Sequence, residues 1–215
     1  MKRQKLYVLI ACEESQAETT AFRELGHEAF SCDLQLCRPG TPPAWHIVGD
    51  VLPLLQGGRQ FYTQDGMRHR VPRWDLIICH PPCTYLCKVS SIHMYIDGVL
   101  QNERYRKMQL AREFFIKCLD AQAPFVAVEN PQPMALARLP APAFFADPSW
   151  YGVKYTKKTL YWTKTLPPLM PEVTHPRPSS YVYSSRGKYR SRTFPEMARA
   201  IAHQWSEFVL QQLNK

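Results

Sequence analysis

Cys83 stands at a position that suits a reactive thiol. It follows the apolar run 76–79 and the two prolines Pro81 and Pro82. The run has the length and β-branched content of a buried parallel strand. Since proline cannot donate a sheet hydrogen bond, the two prolines end that strand. Cys83 is therefore expected just beyond the carboxyl end of a strand, where open α/β sheets bind their ligands and a nucleophile can reach them.

Acidic residues follow the other predicted strands. Strands are predicted at 6–11, 28–32, 45–48 and 123–128, and the acids after them are Glu13 and Glu14, Asp33, Asp50, and Glu129. Because the carboxyl ends of parallel strands meet at one edge of a sheet, we expect these acids and Cys83 to share a crevice. Asp33 lies roughly 20 residues beyond the first loop, the spacing at which an acid binds the ribose of a nucleotide cofactor. Each residue also has a structural alternative, with Asp33 as a turn residue, Asp50 as a cap and Cys83 as a packed thiol.

Helices with regular apolar spacing are predicted between these strands. Ser15 is the predicted N-cap of a first helix that ends at Gly26. Apolar residues at intervals of three and four predict further helices at 103–119 and 195–213. The remaining predictions are a late strand at 158–163, an exposed loop at 57–73 and a candidate mobile lid at 88–103. Strands that alternate with helices predict an α/β fold, a mostly parallel sheet with helices on both faces.

The charge balance favours a polyanionic partner. The 215 residues, enough for a single domain, include 27 Lys and Arg against 18 Asp and Glu, a net charge of +9. Nucleic acid is the first expectation, because contacts to phosphates release counterions. Residues 173–192 contain no acid but several arginines and tyrosines, which suits binding of phosphates or stacking on a base. The alternative is a soluble basic protein with a solvated basic loop.

The cysteines indicate reduced thiols and no metal site. The chain has seven cysteines, an odd number, and Cys79, Cys83 and Cys87 lie within nine residues. Secreted proteins built on disulfides instead have an even number of cysteines that can pair. Their spacing differs from the C-x2-C pairs of structural zinc, and Cys79 falls within the predicted strand. No apolar run is long enough for a bilayer span or a signal peptide. We therefore expect a cytoplasmic protein without a membrane partner.

Two motifs resemble those of S-adenosylmethionine-dependent DNA cytosine-5 methyltransferases. Residues 81–83 and the pair Glu129-Asn130 are similar to the family's Pro-Cys and Glu-Asn motifs, in the same order and at a similar separation. The stretches that look like a compact, phage-type branch of the family are 11–15, 80–86, 128–131 and, as its C-terminal helix beside the cofactor, 192–202. The resemblance therefore covers most of the chain.

This resemblance implies a fold and a location. The fold would be a single Rossmann-like methyltransferase domain over residues 1–215. The basic, tyrosine-containing loop 173–192 would stand in place of a sizeable target-recognition domain. The protein would work in the cytoplasm of a bacterial or phage-infected host cell.

The resemblance also implies a mechanism. Carbon 5 of cytosine is a poor nucleophile until a thiolate, here Cys83, adds to carbon 6 and turns the ring into an enamine. Glu129 would act as a carboxylic acid at N3, which requires a raised pKa in a dry pocket. Asn130 and Pro131 would hold the geometry of Glu129. A base or water would then remove the carbon 5 proton, and the thiol would leave.

A cofactor and a set of contacts follow from the same resemblance. The cofactor is S-adenosylmethionine, with its ribose held by Asp33 and its adenine amino group by Asp50. The predicted cofactor-binding residues are Cys12, Glu13, Asp33, Asp50, Pro81 and Pro82. The predicted substrate-binding residues are Pro131, Lys157, Lys158, Arg190 and Arg192.

Departures from the family's pattern leave alternatives open. Loop 12–16 has no glycine, whereas the family's first loop is glycine-rich so that the backbone can approach the cofactor. His80 stands where a glycine is common. Without a recognition domain, the acceptor could be duplex DNA, single-stranded DNA or a free cytosine nucleotide, and a partner protein could supply sequence recognition. A further alternative is a non-catalytic nucleic-acid-binding protein on the same fold.

Overall fold

A computed structural model of the chain describes residues 4–173, 178–180 and 193–215. The helices in these residues are α1 (Ala17–Glu24), α2 (Leu52–Leu55), α3 (Asn102–Leu119) and α4 (Pro195–Leu213), with 3-10 turns at Pro43–Trp45, Lys88–His93, Ala135–Ala137 and Pro148–Trp150. The strands are β1 (Tyr7–Ala11), β2 (Glu28–Asp33), β3 (His46–Val48), β4 (Gln60–Tyr62), β5 (Arg68–Arg70), β6 (Leu76–Cys79), β7 (Tyr95–Ile96), β8 (Val99–Leu100), β9 (Phe125–Asn130), β10 (Phe144–Ala146), β11 (Tyr155–Thr156), β12 (Thr159–Lys164) and β13 (Ser179–Ser180).

Seven strands form the central sheet in the order β10-β12-β9-β6-β1-β2-β3. Neighbouring strands in the series β3, β2, β1, β6 and β9 pair in parallel, whereas β12 is antiparallel to both β9 and β10. The predicted α/β fold, a mostly parallel sheet, is therefore confirmed. The chain winds outward from β1 in one direction and from β6 in the other. Such a switch point opens a crevice at the carboxyl ends of the two strands.

The two faces of the sheet bury alternate residues of the same strands. Leu9 and Ile77 point into one hydrophobic cluster with α3, whereas Val8 and Ile78 point into the other with α1 and α4. This follows from the two-residue period of a strand. Because both faces are covered, β6 and β9 are apolar almost throughout, and polar side chains of β6 and β9 collect where each strand ends.

Several predicted elements are found as expected. The helices at 103–119 and 195–213 are α3 and α4, and the late strand is β12. Gly26 ends the first helix with a φ of 82°, a left-handed conformation that glycine adopts without a side-chain clash. Residues 88–103 contain a 3-10 turn and the β7–β8 hairpin, held by the buried Met94, and their role as a lid stays a prediction.

Other expectations differ from the structure. The segment 57–73 is not simply a loop, because β4 and β5 form a hairpin whose Phe61 stacks on Trp74 at 5.7 Å between ring centroids. Strand β10 was not predicted, since its three residues give too short a pattern. The basic loop 173–192 lies almost entirely outside the described residues. Within the described residues, no helix combines the length and the apolar character that crossing a membrane requires.

Replacing Trp205 by alanine tests the packing of α4. The buried indole meets Tyr161 at 5.8 Å between centroids and donates from Nε1 to the carbonyl of Pro167 at 3.2 Å. We expect the free energy of unfolding to fall by about 3–5 kcal/mol in urea denaturation, because a large buried side chain leaves a cavity. Glu207→Ala, at an exposed position on the same helix, should change it by less than about 0.5 kcal/mol. Equal losses in both variants would contradict the assigned packing.

Candidate active site

The candidate site lies at the carboxyl ends of β1, β6 and β9. Hydrogen bonds continue the β1–β6 ladder beyond β6, because the His80 amide donates to the Ala11 carbonyl at 2.9 Å. Pro81 and Pro82 follow, as the sequence predicts, and bring the chain to Cys83. The neighbouring strand β9 ends at Glu129 and Asn130. The parallel pairing of β6 with β9 thus delivers both motifs to one edge of the sheet.

The segments that follow β6 and β9 are joined by backbone hydrogen bonds. The Lys88 amide donates to the carbonyl of Gln132 at 2.7 Å, and the Met134 amide donates to that of Leu86 at 2.7 Å. Cys87 and Pro133 form an antiparallel bridge between these two bonds. The chain after Cys83 is therefore tied to the chain after Asn130, which keeps the two motifs at a fixed separation.

Asn130 makes the direct side-chain link between the motifs. Its Nδ2 donates to the Pro81 carbonyl at 2.8 Å, and both groups are buried. Pro81 is the residue whose position sets the course of the chain toward Cys83. Asn130 therefore holds the Pro-Pro-Cys loop, and its predicted role in holding the geometry of Glu129 stays a prediction.

His80 lies between two acids. Its Nδ1 donates to Glu129 Oε2 at 3.1 Å, and its Nε2 lies 3.2 Å from Glu18 Oε1 on α1. Burial disfavours the charged imidazolium, but the charge of Glu18, the hydrogen bond to Glu129 and the charge of Glu129 outweigh burial and raise the pKa of His80 well above its usual range. His80 is therefore an imidazolium that bridges α1 to β9.

The structure corrects the expected protonation state of Glu129. Burial alone would raise the pKa of this carboxyl, but the hydrogen bond from His80 and the positive charges of Lys157 and His80 lower it below the usual value. The prediction of a raised pKa is therefore wrong for the ligand-free protein. Glu129 is a carboxylate, and the proton expected on it resides on His80.

Cys83 is paired with a second cysteine. The turn after Cys83 is closed by the amides of Leu86 and Cys87, which donate to its carbonyl at 3.0 and 2.9 Å. The Cys83 thiol donates to the sulfur of Cys87, and this hydrogen bond, burial and the nearby negative charges raise the pKa of Cys83. The same hydrogen bond lowers the pKa of Cys87 to about 5. Of the two sulfurs, Cys83 is therefore the one that favours its proton, and Cys87 is the one that favours the thiolate.

The glycine-free first loop adopts left-handed backbone conformations. Cys12 has a φ of 62° and Gln16 a φ of 55°, values that glycine adopts most easily. The Gln16 side chain is fully buried and donates to the carbonyl of Pro42 at 3.0 Å, which holds this conformation. The backbone of this loop therefore adopts conformations typical of a glycine-rich loop, although its residues carry side chains.

Glu13, a predicted cofactor ligand, is turned toward α1. Its carboxylate accepts from the amides of Glu18 at 2.7 Å and Thr19 at 3.3 Å and from the Thr19 hydroxyl at 2.7 Å. Glu13 therefore caps the helix together with Ser15, whose Oγ accepts from the Ala17 amide at 3.4 Å, whereas Gln16 at the N-cap position makes no side-chain capping bond. Burial and the charge of Glu18 raise the pKa of Glu13 to about 7.

Asp33 and Asp50 lie close together at the ends of β2 and β3. The Gly49 amide donates to the Asp33 carbonyl at 2.9 Å, and each carboxylate accepts one local amide, from Gln35 at 2.9 Å and from Leu52 at 3.0 Å. Burial first, and then both acids, raise the pKa of the Cys32 thiol to about 12. The two acids thus line one side of the crevice beside Cys12, and their cofactor role stays a prediction.

The predicted substrate-binding residues separate into groups. Lys157 lies near both Glu129 and Cys83, since its charge lowers the pKa of each. Lys158 instead places Nζ 4.7 Å from the centroid of the Phe145 ring. Pro131 directly follows Asn130 and is half-buried. Arg190 and Arg192 lie outside the described residues.

Sequence reasoning missed the roles of His80, Glu18 and Cys87. His80 was considered as a replacement for glycine and as a member of a metal-binding cluster with Cys79, Cys83 and Cys87, but not as a partner of Glu129. Glu18 did carry a signal, because it shares a helix face with the apolar Ala21 and Phe22 and an acid there must be paired. Among the described residues, no three His, Cys, Asp or Glu side chains are placed to hold a metal ion.

Comparison with profiles of known protein families finds no match, and comparison with curated proteins finds none either. Among solved structures, the chain is similar to an E. coli protein assigned as a DNA modification methyltransferase encoded within a prophage. The two chains are 16% identical with a TM-score of 0.46, over 80% of this chain and 52% of the other. This chain thus spans about half the length of that protein, and its function has to be inferred from its own residues.

Asn130→Ala should release the Pro-Pro-Cys loop. We expect a loss of about 1–3 kcal/mol in the free energy of unfolding, because the buried Pro81 carbonyl would lose its hydrogen bond. Urea denaturation measures this loss, and the rate at which a thiol reagent modifies Cys83 should rise. Asn102→Ala, which removes an exposed amide at the start of α3, is the matched control. An Asn130 variant as stable as this control would show that the link is unimportant.

Glu13→Gln should change how stability depends on pH. A carboxyl whose pKa is raised from 4.5 to about 7 keeps its proton in the folded protein while the unfolded chain loses it. The free energy of unfolding therefore falls by roughly 3 kcal/mol in total as pH rises from about 4.5 to 7, and it is level above pH 7. The variant should lack this decline in thermal unfolding measured across that range. A decline of the same size in Glu13→Gln would assign it to other groups.

Proposed function

We propose that the protein transfers a methyl group from S-adenosylmethionine to carbon 5 of cytosine in DNA, through a covalent adduct with Cys83. The observation that supports this most is the joining of the two motifs at one crevice. Asn130 holds the Pro81 carbonyl at 2.8 Å, and backbone bonds tie the following segments together. A thiol and a carboxylate that are far apart in sequence can therefore act on one ring.

Cys83 supplies the nucleophile. In the ligand-free protein its proton lies in the hydrogen bond to Cys87, and the positive charge of Lys157 favours the thiolate. Addition of that thiolate to carbon 6 makes carbon 5 electron-rich. Because Cys87 has the lower pKa of the pair, the two sulfurs together carry one negative charge near neutral pH. Cys83 can therefore become the attacking thiolate by passing its proton to the Cys87 thiolate, without a separate base.

Glu129 faces the same ring from the neighbouring strand. As a carboxylate it can accept a hydrogen bond from the exocyclic amino group of cytosine, which thymine and uracil lack. A pocket built to bond an amino group rejects bases without one, because its buried carboxylate would be left unpaired. Glu129 would thus select cytosine as a carboxylate, and it would neutralise the charge that develops at N3 once it has taken up a proton.

The residues on the other side of the crevice fit the cofactor. Asp33 and Asp50 each engage one local amide and can accept further hydrogen bonds from hydroxyl or amino groups. When bound, S-adenosylmethionine supplies an electrophilic methyl group. Glu13 would act indirectly, through the position of α1, because its carboxylate oxygens bind that helix.

The acceptor must expose its base. Carbon 6 cannot be attacked inside a stacked duplex, so a duplex acceptor has to flip the cytosine out. The net charge of +9 favours binding of any polynucleotide, and Lys157 beside the crevice could bind a phosphate. With labelled S-adenosylmethionine, separate reactions on duplex DNA, single-stranded DNA and deoxycytidine nucleotides distinguish the acceptors. A non-catalytic nucleic-acid-binding protein would bind polynucleotide, transfer no label and release no heat with S-adenosylmethionine in calorimetry.

Cys83→Ala should abolish methyl transfer and the covalent adduct. DNA with 5-fluorocytosine should trap the wild-type protein, since fluorine cannot leave carbon 5 as a proton does. We expect a denaturation-resistant complex in gel electrophoresis with the wild type and none with the variant. The rate of label transfer should fall by at least about 10³-fold, as for loss of other covalent nucleophiles.

Cys37→Ala provides the matched control. Cys37 is a buried thiol that contacts the carbonyl of Thr41 and lies outside the described contacts of Cys83. This variant should retain both transfer and trapping. Methyl transfer that survives in Cys83→Ala would refute the covalent mechanism even if cytosine is the product-bearing base.

A further inference from the structure

We propose that His80 is a positioning residue that holds Glu129 and provides, through it, the proton that the cytosine ring takes up at N3. The chemistry of this step rests on the proposed function, whereas the charged His80–Glu129 pair does not. The proposal assigns the acidic proton of the site to a residue outside both motifs. It begins with the placement of His80 on the loop that also carries Cys83.

The geometry puts His80 in line with Glu129. Nδ1 lies 3.1 Å from Oε2, and the ring is held from its other side by Glu18 Oε1 at 3.2 Å from Nε2. The His80 backbone is fixed too, because its amide bonds to the Ala11 carbonyl. Within the described residues, Glu129 Oε1 accepts no hydrogen bond, so it is the oxygen that can turn to a ligand. One carboxylate oxygen therefore meets the imidazole while the other can meet the base.

The charges around His80 favour its protonated form. The groups that face it are Glu18 and Glu129, with Glu13 beyond Glu18 and Lys157 beyond Glu129. Glu13 is buried near Glu18 and has a pKa of about 7, so it is partly neutral at neutral pH. The positive charge of Lys157 acts against the imidazolium but lies on the far side of Glu129. At neutral pH the His80–Glu129 pair therefore holds one proton, on the ring.

The arrangement is poor as a purely structural device. Both Glu18 oxygens are buried, yet neither accepts a well-aligned hydrogen bond within the described residues, and His80 Nε2 donates none there. Burying a charge carries a desolvation cost, and this cost offsets much of the Coulomb attraction to its partner unless the hydrogen bonds of the charge are complete. Unfilled hydrogen bonds of this kind are rare away from functional sites. Glu18 thus serves to keep His80 charged more than to stabilise the fold.

The proton step balances as follows. The electron pair of the Cys83 thiolate forms the bond to carbon 6, and the ring electrons move onto N3. The Nδ1–H bond of His80 breaks as its proton moves to Oε2 of Glu129. The neutral carboxylic acid then rotates so that Oε2 meets the base, and the Oε2–H bond breaks as N3 takes the proton. His80 is then neutral beside a carboxylate. After carbon 5 has lost its proton and the thiol is expelled, N3 returns the proton by the same path, so neither residue is consumed.

A nuclear magnetic resonance titration of the histidine rings tests the pair without any activity. In the wild type, His80 should titrate well above the ordinary histidine pKa of about 6.5. In Glu129→Gln and in Glu18→Gln its midpoint should fall, because each removes a negative charge from the ring. A wild-type His80 that titrates at or below the ordinary value would overturn the proposal.

The pH dependence of methyl transfer tests the proton step. His80→Gln keeps a hydrogen-bond donor but has no proton to give. We expect kcat to fall about 10²-fold at neutral pH, with KM nearly unchanged. The basic limb of the kcat profile should move to lower pH, because Glu129 must then hold the proton itself. Glu18→Gln should move the limb in the same direction by less, and it tests the step should His80→Gln fold poorly.

His27→Gln is the matched control. His27 is buried, accepts from the Leu6 amide at 3.4 Å, and lies outside the crevice. It should leave the kcat profile unchanged. An active wild type whose profile is unaltered by His80→Gln would overturn the role of His80 alone. Absence of transfer from the wild type to every acceptor would instead overturn the proposed function, and the proton step with it.

Discussion

The contact between His80 and Glu129 is the constraint on which the site depends. It crosses from the end of β6 to the end of β9, two strands that pair in parallel, and it joins residues 49 positions apart in the chain. An ion pair in a buried crevice is stable only with close geometry and few competing waters. That requirement explains the second link, from Asn130 to Pro81, and the backbone bonds beyond it. Together they leave the Pro-Pro-Cys loop little freedom to move.

Much of the fold could be predicted because it depends on local periodicity. The helix at 195–213 has apolar residues at helical spacing and a proline in its first turn, and α4 has the same bounds. The buried strands β6 and β9 are short apolar runs followed by proline or by polar residues. Short elements were missed, since three residues such as Phe144–Ala146 carry too little pattern, and β10 forms only because β12 is there to pair with it.

Only some residues of the candidate site could be named from the sequence, and their protonation could not be predicted. Cys83 and Glu129 were named because each follows a predicted strand, and Asn130 was named through the family resemblance, whereas the roles of His80, Glu18 and Cys87 were missed. The pKa of Glu129, however, depends on His80 and Lys157, which lie 49 and 28 positions away. The same applies to Cys83, whose proton depends on how the turn to Cys87 closes. Spacing in a sequence can place a residue at one edge of a sheet. Its protonation state, however, depends on contacts with residues from other parts of the chain.

The ligand-free site holds two protons with different roles in the proposed chemistry, since one must be removed from the nucleophile and the other must be delivered to the base. One lies between Cys83 and Cys87, and it must leave Cys83 before carbon 6 can be attacked. The other lies on His80, and it is needed at N3 once the attack has begun. Lys157 is placed to help both, because its positive charge lowers the pKa of Cys83 and keeps Glu129 ionised. Nucleophile and acid are thus prepared by separate pairs of residues. A base bound between them would meet Cys83, which can pass its proton to Cys87, on one side and a proton source on the other.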